Sequence, residues 1–346
     1  MTWLAWRQLR FQALAAYVAV VAAAVVLAVT GKRIVALAEP AGAIFDRLTA
    51  SDRTLFWSGL IVMAVLPALL GAFWGAPLVA RELEHGTHRL VWVQSVTRMR
   101  WFGVKVGLTV LGAALAVSAL TWAVTRWANP LDGATSATHG GFPSRLTPVS
   151  FAMRGIVPVS YAVFALALGI TLGIVLRRSV PAMALTLLLY VAVQVAVPLW
   201  VRPHLAAPVD QSVTISRATL DGISSSGPGG PLTVSAHRAD RGDWILSNRT
   251  VDASGRVAAL PSWLSTCLPG PGAEAPPVSG QTRVPAPVNS LDSCFARLAS
   301  EGYRQEIVYQ PADRFWTLQW RESGLYLGLA AVVGGVGLWW LRERVS

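Results

Sequence analysis

Charge is what this sequence has least of. Only 14% of its 346 residues are Asp, Glu, Lys or Arg, 53% are hydrophobic, and mean hydropathy is +0.49. These values lie outside the range of soluble globular domains and exclude that class. Cysteine is nearly missing: Cys267 and Cys294 are the two in the chain, too few to hold a metal without histidine beside them. His-Glu-x-x-His does not occur. His85 and His88 sit near Glu82 and Glu84, but Gly86 interrupts the helix that would align them. The phosphate-binding loop Gly-x-x-x-x-Gly-Lys-Ser/Thr is also missing, because the one Gly-Lys, Gly31-Lys32, is followed by Arg33 and lacks the earlier glycine. The chain itself is therefore expected to be no enzyme and to hold no cofactor; energy from a nucleotide has to come from a partner.

What is present is apolar sequence in blocks. Six stretches contain no Asp, Glu, Lys or Arg: 11–30, 55–80, 106–125, 155–176, 179–201 and 323–341. Each is near the roughly 20 residues a helix needs to cross a bilayer, which predicts an all-α membrane protein of six transmembrane helices. Without ionisable residues in these stretches, an intramembrane protease, a proton-coupled carrier and a pump with buried carboxylates are disfavoured. The mild polar residues within them read mainly as helix-to-helix hydrogen-bonding groups. Tyr190 and Gln194, one helical turn apart in the fifth stretch, are the best candidates for a pore-facing polar pair.

Basic residues set the expected orientation. With the N-terminus in the cytosol, the cytoplasmic segments hold 11 Lys and Arg against Glu82, Glu84 and Glu343, whereas the two short outer loops carry net charges of only +1 and +2. That is the positive-inside pattern, with both termini cytoplasmic, and it accounts for a pI near 10.7 without nucleic acid. Arg7 and Arg10 before an apolar run, with Ala36-Leu37-Ala38 downstream, resemble a secretory signal. The run is too long for a signal core, however, and Lys32 and Arg33 separate it from the Ala-x-Ala. Trp3, Trp6, Arg7 and Arg10 fit instead a short interfacial helix over residues 1–10.

The organisation expected is one membrane domain, 11–201 and 323–346, with an extracellular mixed domain inserted at 202–322. That insertion holds 11 basic and 11 acidic residues and is rich in turn formers at its centre. Trp244-Ile245-Leu246 reads as a strand, and Leu291, Phe295 and Leu298 fall on one helical face within 291–303. Both cysteines lie here, 27 residues apart. On the oxidising side of the membrane this suggests a disulfide, which would stabilise by about 3 kcal/mol in the chain-entropy view. Asn248-Arg249-Thr250 matches a glycosylation sequon, a pattern common by chance.

The most informative segment is the charged island 81–105, RELEHGTHRLVWVQSVTRMRWFGVK. The second apolar block runs without a break into it, so its helix is expected to extend beyond the membrane to His85. Gly86 then supplies a stop and Thr87 a cap for a short transverse helix over 88–94. Ser95 and Thr97 can cap the next helix, with Arg98 and Arg100 at the interface. A simple interfacial turn would have the same outline; a docking knob for a cytosolic protein explains more of it.

Glu82-x-Glu84-x-Gly86-Thr87-x-x-Leu90, then Ser95-Val96-Thr97-Arg98 and Lys105, resembles the intracellular loop of ABC transporter permeases of the type 2 exporter class. MTWLAWRQLR at the start, FWGAPLVAR before the island, VPLWVRPH and YQPADRFW are similar to an actinobacterial branch of these permeases. The resemblance implies a bacterial plasma-membrane permease that pairs with a second copy or a relative. Two separate ATP-binding subunits carrying ATP and Mg would dock on the loop, with Glu82, Glu84, Gly86, Thr87, Arg89, Leu90 and Arg98 at the coupling contact and membrane lipid around the spans. The outer insertion is much larger than the re-entrant hairpin of many such permeases. A membrane-anchored sensor, whose outer domain binds a ligand and whose island relays the state, is the alternative.

Overall fold

The computed structural model describes residues 2–37, 44–84, 98–137, 142–225, 232–236, 242–267 and 289–344. They form two compact units: Met1–Ala206 with Ala312–Ser346, and Ala207–Pro311.

The first unit is helical. In chain order it contains α1 (Thr2–Leu37), α2 (Ile44–Arg47), α3 (Ala50–Leu69), a π-helical turn (Leu70–Gly75), α4 (Ala76–Glu84), α5 (Arg98–Ala137), α6 (Pro148–Phe151), α7 (Val157–Leu176), α8 (Ser179–Ala196), a second π-helical turn (Val197–Val201) and α10 (Phe315–Arg344). Six of its helical stretches are long and apolar enough to cross a membrane, matching the six charge-free blocks. The helices are longer than those blocks. α1 has no break between 1–10 and 11–30, because nothing from Trp3 to Thr30 is glycine or proline. The expected separate interfacial helix is therefore the opening of one continuous helix.

Helix ends are closed from within, as a medium without water requires. Thr49 and Asp52 form a capping box at the start of α3, with Thr49 N–H donating to Asp52 Oδ2 at 2.9 Å. Such a cap is worth about 1 kcal/mol. Arg33 of α1 reaches the same carboxylate at 3.6 Å. α7 begins with no cap of its own; Gln319 of α10 supplies it, its Oε1 accepting from Ile156 N–H and Val157 N–H at 3.0 Å each. The preceding Gly155 has φ +68°, and a Cβ there would lie 2.6 Å from Gln319 Oε1. Glycine is needed at this point both for its backbone angle and for the space it leaves.

α7 is the hub, with 67% of its apolar window buried against 6% for α1. Its face of Ala165, Gly169 and Gly173 meets the first π turn and α4 backbone to backbone. A Cβ on Gly169 would stand 2.1 Å from Gly71 O, one on Gly173 2.4 Å from Ala76 O, and one on Gly71 2.5 Å from Ala165 O. Two Gly-x-x-x-Gly pairs, Gly71/Gly75 and Gly169/Gly173, thus face each other, the small-residue packing that suits helices in a bilayer. A separate apolar cluster, including Ile34, Phe56, Met63, Leu120 and Trp127, joins α1, α3 and α5.

The second unit carries β1 (Val209–Thr214), β2 (Leu220–Ser225), β3 (Leu232–Ala236), β4 (Trp244–Val251), α9 (Asn289–Ser300) and β5 (Arg304–Gln310). β1, β5 and β4 form an antiparallel sheet in that order, and β2 pairs with β3. Both patterned pieces appear as expected: Trp244 opens β4, and Phe295 and Leu298 of α9 are buried with Ile215, Val234 and Leu264. Gln305, fully buried, donates to Val234 O at 2.8 Å and to Asn248 Oδ1 at 2.7 Å, and accepts from Thr250 Oγ1 at 3.0 Å. Asn248 also donates to Ala236 O at 2.7 Å, so the side chain of the sequon asparagine is held within the fold.

The insertion expected at 202–322 is corrected to Ala207–Pro311. Helical structure runs through Val201 into Arg202–His204, and α10 starts seven residues before Glu322, so Arg202 and Glu322 belong to the helical unit.

Candidate functional site

Polar side chains gather at two places in the helical unit. The first borders the island. α4 keeps Glu82 and Glu84 helical up to its last residue. Lys105 of α5, only 7% exposed, donates to Glu82 Oε1 at 2.6 Å. Glu84 reaches the start of α8, where its Oε2 accepts from Ser179 N–H at 3.1 Å and Ser179 Oγ–H at 2.9 Å. A carboxylate there satisfies an orphan amide and complements the positive end of the helix dipole. α7 and α8 are joined by Arg177 and Arg178 alone. Arg177 adopts the left-handed conformation at φ 53°, uncommon for a residue with a Cβ, and donates to Arg344 O of α10 at 2.6 Å.

Both ends of the island are therefore tied to neighbouring helices through side chains. Of the residues expected at the coupling contact, Glu82 and Glu84 are in these ties. Gly86, Thr87, Arg89 and Leu90 lie outside the described residues, as does the side chain of Arg98.

The second cluster was not anticipated. Arg202 and Glu322 are each 0% exposed. Arg202 donates through Nε to Glu322 Oε2 at 2.6 Å and through Nη2 to Glu322 Oε1 at 2.8 Å, a two-pronged pair. Its remaining contacts are the Tyr161 hydroxyl at 3.1 Å, Pro148 O at 3.1 Å, and the Phe151 ring, whose centroid lies 4.5 Å from the guanidinium carbon. Tyr161 in turn donates to Glu322 Oε1 at 2.5 Å. Four elements converge on one charge pair: α6, α7, the end of the fifth span and α10.

A second buried arginine, Arg154, pairs with Asp132 of α5 and lies over the Phe56 ring at 5.9 Å. These groups correct the expectation of spans without ionisable residues. All four charges fall outside the charge-free blocks in sequence. Asp132 and Glu322 lie inside the longer helices α5 and α10, Arg202 in the helical turn that continues the fifth span, and Arg154 in the bend before α7, each matched by an opposite charge.

The second π turn explains how Arg202 gets there. Pro198 has no N–H to give, and Arg202 N–H bonds Val197 O five residues back, so the wider turn redirects the following side chain. The recoverable signal was an Arg directly after the fifth block and a Glu directly before the sixth.

Tyr190 is buried against Phe164, ring centroids 6.4 Å apart, and among the described residues its hydroxyl has no hydrogen-bond partner. Gln194, half-buried, accepts from the Tyr326 hydroxyl at 3.0 Å. A mostly apolar cavity of about 350 Å³ lies between α5, α7 and α10, bordered by Val106, Ile170 and Leu338. Among the described residues no three His, Cys, Asp or Glu side chains come together as metal ligands.

Comparison with known protein families places residues 3–202, more than half of the chain, in a match to the description "ABC-2 membrane transporter related". The matched region covers the first five spans, the island and Arg202. No curated protein and no solved structure matches the chain.

Proposed function

The chain belongs to the ABC-2 membrane transporter related family, and from that premise we propose that it is the permease subunit of an ATP-driven exporter in the bacterial plasma membrane. A separate ATP-binding subunit, holding ATP and Mg, docks on the cytoplasmic island 81–105. The permease acts as a pair with a second copy or a relative, and both termini lie in the cytosol with Ala207–Pro311 outside. Tyr190 and Gln194 are assigned to the polar side of the pathway.

The observation that carries this reading is the rigid mounting of the island. Glu82 bound to Lys105 and Glu84 bound to the start of α8 join three spanning helices at its base. A push on the island therefore moves α4, α5 and α8 together, which is what conversion of ATP hydrolysis into a helix rearrangement needs. The outer unit is stapled by Cys267 and Cys294, consistent with the absence of a free cysteine among the described residues.

The test is affinity purification of the tagged chain from native membranes with ATP hydrolysis measured in the eluate. An ATPase is expected to co-purify, and Glu84→Lys is expected to uncouple its activity from export. If no ATPase accompanies the chain, or if Glu84→Lys leaves coupled export unchanged, the proposal fails.

A further inference from the structure

α1 and α5 run side by side in the same direction. Tyr17 donates to Gly112 O at 2.9 Å near one end of the contact, and Trp127 Nε1 donates to Thr30 Oγ1 at 3.1 Å near the other. Beside these contacts the helices border an open groove of about 750 Å³ that runs from Val21 to Val35 on α1 and from Trp122 to Pro130 on α5. Val21, Val25, Ala28 and Lys32, at spacings of four, three and four, form the α1 wall, while Trp122 and Arg126, one turn apart, lie on the α5 wall. The groove is apolar along most of its length, with its two cations, Lys32 and Arg126, in the half nearer Val35 and Pro130. Trp122 is 70% exposed and presents a flat apolar surface.

Lys32 and Arg126 are both exposed, and neither makes a hydrogen bond or ion pair among the described residues. The next residue, Arg33, by contrast, already has Asp52. No acidic side chain lines the groove among the described residues. Eleven residues of helix separate Val21 from Lys32, a rise of about 16 Å. That is about half the roughly 30 Å hydrocarbon core, or one leaflet.

We propose that this groove binds an anionic phospholipid, one acyl chain lying along Val21, Val25, Ala28 and Trp122 and the phosphate held between Lys32 and Arg126. The match is in length, in polarity along the groove and in charge at its end. A free phosphate would use the cations and leave the apolar groove empty. The site does not depend on which substrate is exported or on the ATP-binding partner.

The test uses the purified full chain loaded with equimolar phosphatidylglycerol and phosphatidylcholine of identical acyl chains, with retained lipid counted by native mass spectrometry. Preferential retention of phosphatidylglycerol is expected. The double variant Lys32→Gln/Arg126→Gln should lower that preference about 30-fold, from about fivefold for each cation removed. Ala28→Trp, which fills the apolar part and leaves both cations, should also lose the lipid, and glycerol phosphate should fail to compete.

Equal retention of the two lipids by the unaltered protein overturns the proposal, as does an unchanged preference in variants that keep the parent's unfolding temperature. If glycerol phosphate competes as well as the lipid, the site is a phosphate site and the proposal also falls. An intermolecular disulfide formed by Ala28→Cys would assign the groove to a second copy of the chain instead.

Discussion

Glu322→Gln removes the charge that balances Arg202 while nearly preserving shape. In the native arrangement the guanidinium donates twice to that carboxylate, and both side chains are fully buried. After the substitution, Arg202 keeps Tyr161, Pro148 O and the Phe151 ring but no anion. Breaking a buried pair by removing one partner costs about 3 to 5 kcal/mol, because the remaining charge is left uncompensated. For a unit of this size that corresponds to a fall in unfolding temperature on the order of 10 °C. The assay is thermal unfolding of detergent-solubilised protein, followed by loss of the monodisperse peak. Glu343→Gln, an exposed position on the same helix, serves as control and should change stability by no more than about 0.5 kcal/mol.

The double variant Arg202→Met/Glu322→Leu separates charge pairing from packing. If the pair acts as a unit, the double loses less than the sum of its single losses by about 2 kcal/mol or more. Tyr161→Phe should cost less than Glu322→Gln, about 1.5 to 3 kcal/mol for a hydrogen bond to a charged group. Should Glu322→Gln behave like Glu343→Gln, the pair is not buried in the folded protein and the convergence of four elements on it is wrong.

Gly169→Ala places a Cβ 2.1 Å from the Gly71 carbonyl and should destabilise by about 1 to 3 kcal/mol, whereas Gly328→Ala, with nothing within 4 Å, should be neutral; thermal unfolding compares the two. Lys105→Met removes the partner of Glu82 and should lower ATP hydrolysis in the assembled complex more than it lowers unfolding temperature, measured on the same preparation. The proposed Cys267–Cys294 bridge should appear in peptide mass mapping as one cross-linked pair, and its reduction should destabilise the Ala207–Pro311 unit by about 3 kcal/mol, read by limited proteolysis with and without reductant.

The number of spans was legible because an uninterrupted apolar run of about 20 residues has few other meanings. The strand at Trp244 was legible as a short apolar run, and the helical face of Phe295 and Leu298 because 3.6-residue periodicity survives in a short segment. What charge-free blocks hid was the extent of the helices. A charge ends a hydropathy block but does not end a helix, so Arg202, Glu322 and Asp132 read as loop residues when each had a buried partner. A π turn also carries the helix past Pro198, so Arg202 stays within the helical unit. Gly71, Gly75, Gly169 and Gly173 stood in the sequence as two Gly-x-x-x-Gly pairs; their pairing with one another depends on which helices are neighbours, which no local pattern specifies.

The two polar clusters are mechanically connected through α7. Its first turn is capped by Gln319 of α10 and its Tyr161 joins the Arg202–Glu322 pair. Its last residue leads through Arg177 into α8, whose start Glu84 holds. At Gly169 and Gly173 its backbone meets Gly71 and Ala76 with no side chain between, while Leu70, Leu78 and Val79 pack against it on either side. Flexible side chains can absorb a small displacement by changing rotamer, but contacts between backbones leave nothing to absorb it. A displacement of α4 at the island must therefore shift α7 with it or open the Gly71–Gly169 contact. The first outcome carries motion to the buried pair; the second costs packing that no other residue at that crossing can restore.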